Sequence, residues 1–169
     1  LRVNRPGSKV LVLDANAGIV AEAHTFMNAF LGVHGGTLTY QTGITVNSID
    51  AATGTLATSA GPIRGDVINA IPPQRAGAIV TESGLGLVPT DGRWADVDVT
   101  SYESKVAGIH VIGDAHRSAQ PKAGHIGNQG AKICADAIVR AFASLAPYAT
   151  PTANSACFSP LSNSVASWL

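Results

Sequence analysis

The chain has 169 residues, enough for one ordinary domain or two small lobes sharing a core, and 46% of them are apolar. Its 11 basic and 11 acidic residues cancel, which argues against nucleic acid or an anionic membrane surface as the main partner, since both require excess Lys and Arg. Charged residues make up only 13%, a sparseness that points to broad buried or subunit-facing surfaces.

The opening segment Leu1-Arg2-Val3-Asn4-Arg5-Pro6 has neither the apolar stretch nor the cleavage site of a signal peptide. Because the sequence starts with Leu rather than Met, the expectation is a processed chain or a piece of something longer. Lys9-Val10-Leu11-Val12-Leu13-Asp14 is a short apolar run ending in a carboxylate and predicts a buried strand. From Ala17 to Leu31 the apolar residues Val20, Ala23, Met27, Phe30 and Leu31 fall at helical spacing, with Gly32 and Gly35-Gly36 as the stop. A strand followed by a helix is the unit of a parallel sheet.

Thr37 to Ile71 changes character. Thr37–Tyr40, Thr45–Ile49 and Thr55–Thr58 are rich in β-branched residues and are separated by Gly43 and by Asp50-Ala51-Ala52-Thr53-Gly54, a β-meander pattern. Gly65–Ile71 reads as another buried strand, ended by Pro72-Pro73. Trp94–Val99 alternates in the manner of a strand, and Gly108–Ala115 reads as a strand ending in Gly113-Asp114. A loop from His116 to Gly124 leads into a helix from about Gly127 to Leu145, with Ile126, Ile133 or Cys134, Ala137, Ile138 and Ala141 as its apolar face. After Pro147 the tail lacks periodicity and is expected to pack on a neighbouring surface. No run reaches the roughly 20 apolar residues of a membrane span.

The strand, Gly-Asp and glycine-rich helix start form a constellation with chemical content. Strand ends in open α/β sheets face the ligand crevice. The Asp114 carboxylate can accept hydrogen bonds from sugar or ribityl hydroxyls, and Gly113 permits close approach of a ligand to the backbone. The following helix turns free N–H groups and a partial positive charge toward the same place, suited to a phosphate or to the anionic ring of a reduced flavin. Lys122, stiffened by Pro121, adds a full positive charge. The residues alone leave a second reading open: a plain strand–loop–helix crossover in which Asp114 caps a turn.

Cys134 and Cys157 form neither a disulfide framework nor a CxxC metal motif, and Cys134 lies on the apolar face of the last helix, as a small buried hydrophobe would. His24, His34, His110, His116 and His125 lack the spacing of a helical metal site, so no metal is expected, and each reads as a polar loop residue. Asp14 reads as a helix N-cap, although in a NAD-binding lobe an acid there would hold an adenosine ribose.

Pro72-Pro73-Gln74-Arg75-Ala76-Gly77, then Ile109-His110-Val111-Ile112-Gly113-Asp114-Ala115, then Pro121-Lys122 with Gly124, Asn128 and Lys132, resemble the flavoprotein subunit of flavocytochrome c sulfide dehydrogenases. The resemblance runs in order from about Lys9 to the tail. More distantly the pattern is similar to sulfide:quinone oxidoreductases and other pyridine-nucleotide disulfide oxidoreductases.

The resemblance implies an α/β, partial two-dinucleotide-binding-domain (Rossmann-like) flavoprotein fold with a β-meander and its N-terminal FAD half absent, since no GxGxxG occurs in the chain. Residues 1–71 would be part of the second, NAD-binding-like lobe, 72–146 the C-terminal part of the FAD lobe, and 147–169 the start of a C-terminal segment. FAD is the implied cofactor, its site incomplete in this chain, with Gly113 and Asp114 at the ribityl chain and Pro121, Lys122, Ala123 and Gly124 beside the flavin ring. In the family, sulfide opens a cysteine disulfide to give a persulfide, and electrons pass through the flavin to haem held only by a cytochrome c subunit. Cys157, in Asn154-Ser155-Ala156-Cys157-Phe158-Ser159, matches one cysteine of that pair. His125 stands where relatives tend to carry Tyr.

The resemblance further implies sulfide as substrate, a cytochrome c subunit as partner, a periplasmic location and an isolated chain without activity. Exposed apolar surface on such a piece favours homodimers. Two other functions fit the same residues: an NAD(P)H- or quinone-linked relative, and a non-enzymatic subunit that docks a cytochrome.

Overall fold

The computed structural model describes residues 5–90 and 92–168. Residues 1–4, within the stretch read for a signal peptide, lie outside the described residues. Among the described residues helices and strands are mixed, with three small sheets, a content compatible with the α/β class. Two compact units divide the chain: one takes in the residues up to Ile71 together with Phe158–Trp168, and the other is Pro72–Cys157.

The first unit begins with strand β1 (Val10–Leu13), which pairs in parallel with β2 (Leu38–Gln41), Val10 opposite Leu38 and Leu13 opposite Gln41. Parallel strands need a crossover, here helix α1 (Ala23–Asn28) and a π-helical turn, Ala29–Val33. The helix starts later than the predicted Ala17. The Asp14 carboxylate accepts the Asn16 backbone N–H at 2.8 Å, closing an Asx turn, and Glu22 is left-handed with φ 49°. Asp14 is thus not the expected N-cap. Its other oxygen accepts the Tyr40 hydroxyl at 2.7 Å, a bond that holds Asp14 below the usual carboxylate range and pushes Tyr40 up to about 12.

The predicted apolar stripe is also redrawn, because Ala29 is buried whereas Val20 and Leu31 are exposed. An aromatic ladder fastens the helix to the sheet instead, with ring centroids 6.0 Å apart for Phe26–Phe30 and 5.5 Å for Phe30–Tyr40. At Gly35 a Cβ would overlap the Leu31 carbonyl oxygen, so the chain leaves the helix where only glycine fits.

The meander consists of β3 (Val46–Asp50), β4 (Thr55–Thr58) and β5 (Gly61–Arg64), antiparallel and in that order. Two expectations are corrected. Thr37–Tyr40 contributes to β2 rather than to the meander. Gly65–Ile71 is not a buried strand: Val67 is 89% and Ile71 83% exposed. The edge beside β4 is taken by Gly61–Arg64, delivered by a tight turn in which the Thr58 hydroxyl donates to the Gly61 carbonyl at 2.6 Å. Pro62 is accommodated because, among the described residues, β5 pairs on one side only.

The tail, without periodicity and expected to pack on a neighbouring surface, returns to this unit as a hairpin of β6 (Phe158–Pro160) and β7 (Ala166–Trp168). Glu22 holds it by accepting the hydroxyls of Ser159 at 3.1 Å and Ser167 at 2.6 Å, and the His34 ring bonds the Leu161 carbonyl at 2.7 Å.

The second unit has a small core of Leu87, Ala95 and Val111, flanked by Val80, Val97, Val106, Ile109 and Ala115. The strands predicted at Trp94–Val99 and Gly108–Ala115 are corrected to irregular segments, the second ending in a 3-10 turn, that make isolated pairs, Ala95 with His116, Val97 with Ser104 and Glu103 with His110. A ladder needs neighbours in continuous register, and these segments meet short loops instead. A short helix α2 (Ala78–Thr81) precedes them, and α3 (Gly124–Phe142) follows, buried along Ile126, Gly130, Cys134 and Ala137. Within the expected face, Ala141 is exposed. Beyond α3, Ser144 is left-handed with φ 57°, and the N–H of Leu145 donates to the Arg140 carbonyl at 2.9 Å, a Schellman-type stop with Ser in the place glycine favours.

Candidate functional site

The site is built where the Gly108–Ala115 segment turns toward α3. Ile112 is extended, and Gly113, with φ +67°, redirects the chain into one 3-10 turn, Gly113–Ala115. A Cβ on Gly113 would meet no atom within 4 Å, so within this chain the glycine serves backbone conformation rather than space. The turn rests on the first turn of α3, where a Cβ on Gly127 would lie 3.5 Å from the Gly113 Cα. Asp114 is exposed, and its carboxylate accepts no hydrogen bond among the described residues.

His116, expected to be a polar loop residue, is only 4% exposed. Its Nδ1–H donates to the Gly113 carbonyl at 2.7 Å, which leaves Nε2 without a proton in the neutral ring. Tyr102 meets the ring edge-on at 5.0 Å and 80°. Burial pushes His116 below its usual range. The bond to Gly113 opposes that shift, the Lys122 charge adds to it, and the Asp114 charge opposes it. Tyr102 itself has φ 59° and packs so closely on α3 that a Cβ at Gly130 would stand 3.0 Å from its ring.

Lys122 closes the loop. Its Nζ donates to the carbonyls of Asp114 at 2.7 Å and His116 at 2.8 Å and stands 3.9 Å from the centre of the Trp94 ring. Burial lowers its pKa from the ordinary value, opposed by the Asp114 charge. Ala123, extended at φ −145°, precedes Gly124 and offers no side-chain cap. The first-turn amides of α3 therefore keep their donors and the positive end of the helix dipole.

Gly113, Asp114, Lys122, Ala123 and Gly124 thus belong to one turn–loop–helix assembly, with Pro121 leading into Lys122. His116, Trp94 and Tyr102 support it. No pattern in the sequence signals that support, because Trp94 and Tyr102 come from elsewhere in the chain and the burial of His116 depends on their packing. Cys157 is a half-buried free thiol whose Sγ is 3.8 Å from the Ser155 hydroxyl, and no hydrogen bond links it to this assembly. Cys134 is a free thiol on the buried face of α3, and burial pushes it up. A cleft of 230 Å³ along α3, beside Thr100, Lys132, Asp136 and Tyr148, includes none of the residues named for the site.

Two comparisons with known proteins bear on the chain, one on its first unit and one on nearly its whole length. Residues 1–72 match the family described as the sulfide dehydrogenase [flavocytochrome c] flavoprotein chain, central part. The sulfide dehydrogenase match does not extend to the residues of the turn–loop–helix assembly. A chain in a cryo-EM structure of the Tetrahymena thermophila mitochondrial ATP synthase (F1Fo composite tetramer) shares the fold, with a TM-score of 0.72 and 14% identity. That similarity covers 94% of this chain but 39% of the other, so this chain spans well under half the length of its structural relative.

A flavin is the group that a sulfide dehydrogenase flavoprotein would bring, and the assembly fits one side of it. The exposed Asp114 carboxylate is a free acceptor for hydroxyls of a polyol chain, and the uncapped start of α3 suits an anionic edge. The Lys122 ammonium is already engaged by two carbonyls.

Proposed function

We propose that this chain is part of an FAD-dependent sulfide dehydrogenase flavoprotein that passes electrons to a cytochrome c subunit in the periplasm. The observation that carries the proposal is the match of residues 1–72 to the sulfide dehydrogenase flavoprotein family. The turn–loop–helix assembly supports it with an acceptor for ribityl hydroxyls at Asp114, a glycine-set backbone turn at Gly113, and helix amides at Ala123–Gly124. When bound, FAD supplies two-electron acceptance from sulfide and one-electron release to a haem. The residues of this chain orient it: Asp114 fixes the ribityl chain, and the α3 start favours negative charge at the ring edge. Cys157 is the proposed nucleophile of the cysteine pair.

The test uses full-length protein. Cys157→Ser is expected to abolish sulfide-dependent cytochrome c reduction while leaving bound flavin in place. Unchanged sulfide turnover would remove Cys157 from the mechanism. Reduction of quinone, or oxidation of NADH, in preference to reduction of cytochrome c would reassign the protein to a relative with another electron partner. Asp114→Asn is expected to weaken flavin binding roughly tenfold, the loss of one charge-assisted hydrogen bond.

A further inference from the structure

The carbonyls of the Gly113 turn are all engaged. Gly113 is bonded by the His116 ring, Ala115 by the Ala95 backbone N–H at 2.9 Å, and both Asp114 and His116 by Lys122. One ammonium therefore satisfies two of four successive carbonyls, and the indole of Trp94 lies against the same charge. An ammonium has three donors and no acceptor. Two donors are committed to carbonyls of the loop and an aromatic face lies beside the charge, on a residue that is otherwise exposed.

We infer that Lys122 is the positioning residue of the Gly113–Asp114 turn, a clamp that ties the Asp114 and His116 carbonyls together over Trp94 instead of meeting a ligand's charge. The clamp stands on this geometry. What the turn presents to a ligand rests on the flavin reading above. The chemistry explains the residue type: hydrogen bonds from a charged donor to a partly buried carbonyl are stronger than neutral ones, and a cation over an indole gains further when partly desolvated. Arg could reproduce both contacts through its planar fork and its affinity for aromatic faces, whereas Met keeps the bulk and loses every donor.

Arg117 lies in the clamped loop, is exposed, and donates its backbone N–H to the Ala95 carbonyl at 2.7 Å. Trypsin cleavage after Arg117, followed by mass spectrometry, reads opening of the loop directly. In full-length protein, Lys122→Met is expected to raise the cleavage rate about tenfold, and Lys122→Arg to stay within about threefold of the parent. Should Lys122→Met fail to fold, Lys122→Gln, which keeps a neutral donor, is expected to give an intermediate rate. Cleavage of the folded Met or Gln variant at the parental rate overturns the clamp. Flavin affinity of the same variants is measured separately in full-length protein. Affinity that falls with loop opening and returns with Arg supports both readings. Faster cleavage with unchanged flavin affinity keeps the clamp and overturns the flavin reading.

Discussion

Three residues under and beyond the Gly113 turn show how local geometry sets the cost of a substitution. At Gly130, a Cβ would press on the Tyr102 ring at 3.0 Å, against a buried neighbour that cannot swing away. Gly130→Ala gains about 1 kcal/mol in helix propensity but overpacks the site at a cost of about 1–3 kcal/mol. Net destabilisation in urea unfolding is the expected result. Ser144 is the opposite case: it occupies a left-handed position that glycine adopts freely, so Ser144→Gly is expected to stabilise the chain by about 1 kcal/mol.

His116 makes stability depend on pH. Its ordinary value is 6.5 and the folded value is lower, chiefly through burial. Above 6.5 the ring is neutral in both states and the packed arrangement is fully favoured. As pH falls through 6.5 the unfolded chain takes up the proton first, and stability is lost until the lowered folded value is passed. Urea midpoints measured between neutral and mildly acidic pH should fall in the parent, and less steeply in His116→Gln. Parallel slopes for the two proteins would remove His116 as the cause.

Among the elements, the hairpin of β6 and β7 depends on one carboxylate. Glu22 accepts two serine hydroxyls, one from each strand, and itself sits in a left-handed conformation. Glu22→Ala removes both acceptors, and hydrogen exchange should rise throughout 158–168 while the β3–β5 meander keeps its protection. The expected loss for the hairpin is about 1–3 kcal/mol. The hairpin itself was illegible in the sequence, because strands of three residues carry too little alternation to register. The longer patterns gave mixed returns. β1 follows its apolar run but is not the buried strand expected, with Leu11 exposed and its other residues only half-buried, while β3 and β4 follow their β-branched runs and α3 follows its apolar face. Gly65–Ile71 and Gly108–Ala115 have equally apolar runs but are not strands. An apolar run shows that a segment prefers burial, and a strand also needs a free edge at the right distance.

For the whole molecule, the imbalance lies between apolar content and burial. Apolar residues make up 46% of the chain, yet Phe142 is 89% exposed, and Ile79, Leu31, Phe158 and Trp168 are also largely exposed. Exposed apolar side chains of this size favour association. Sedimentation velocity on the 169-residue chain should therefore show concentration-dependent self-association. A monomer that persists across the concentration range would count against it. The pattern agrees with the proposal that this chain is one part of a larger flavoprotein.

The Gly113-Asp114 pair, the Pro121-Lys122 step and the glycines at the start of α3 were legible in the sequence, because glycine, proline and charge in that order restrict the backbone and the chemistry locally. Their roles were not all legible. Asp114 emerges with its carboxylate free for a ligand, while Lys122, which the sequence read as a charge for that ligand, has its ammonium folded back onto the turn. Only tertiary structure separates the two, because Trp94 and Tyr102 reach the loop from elsewhere in the chain, and their packing with the buried His116 decides which charge is engaged by the turn and which is left to face outward.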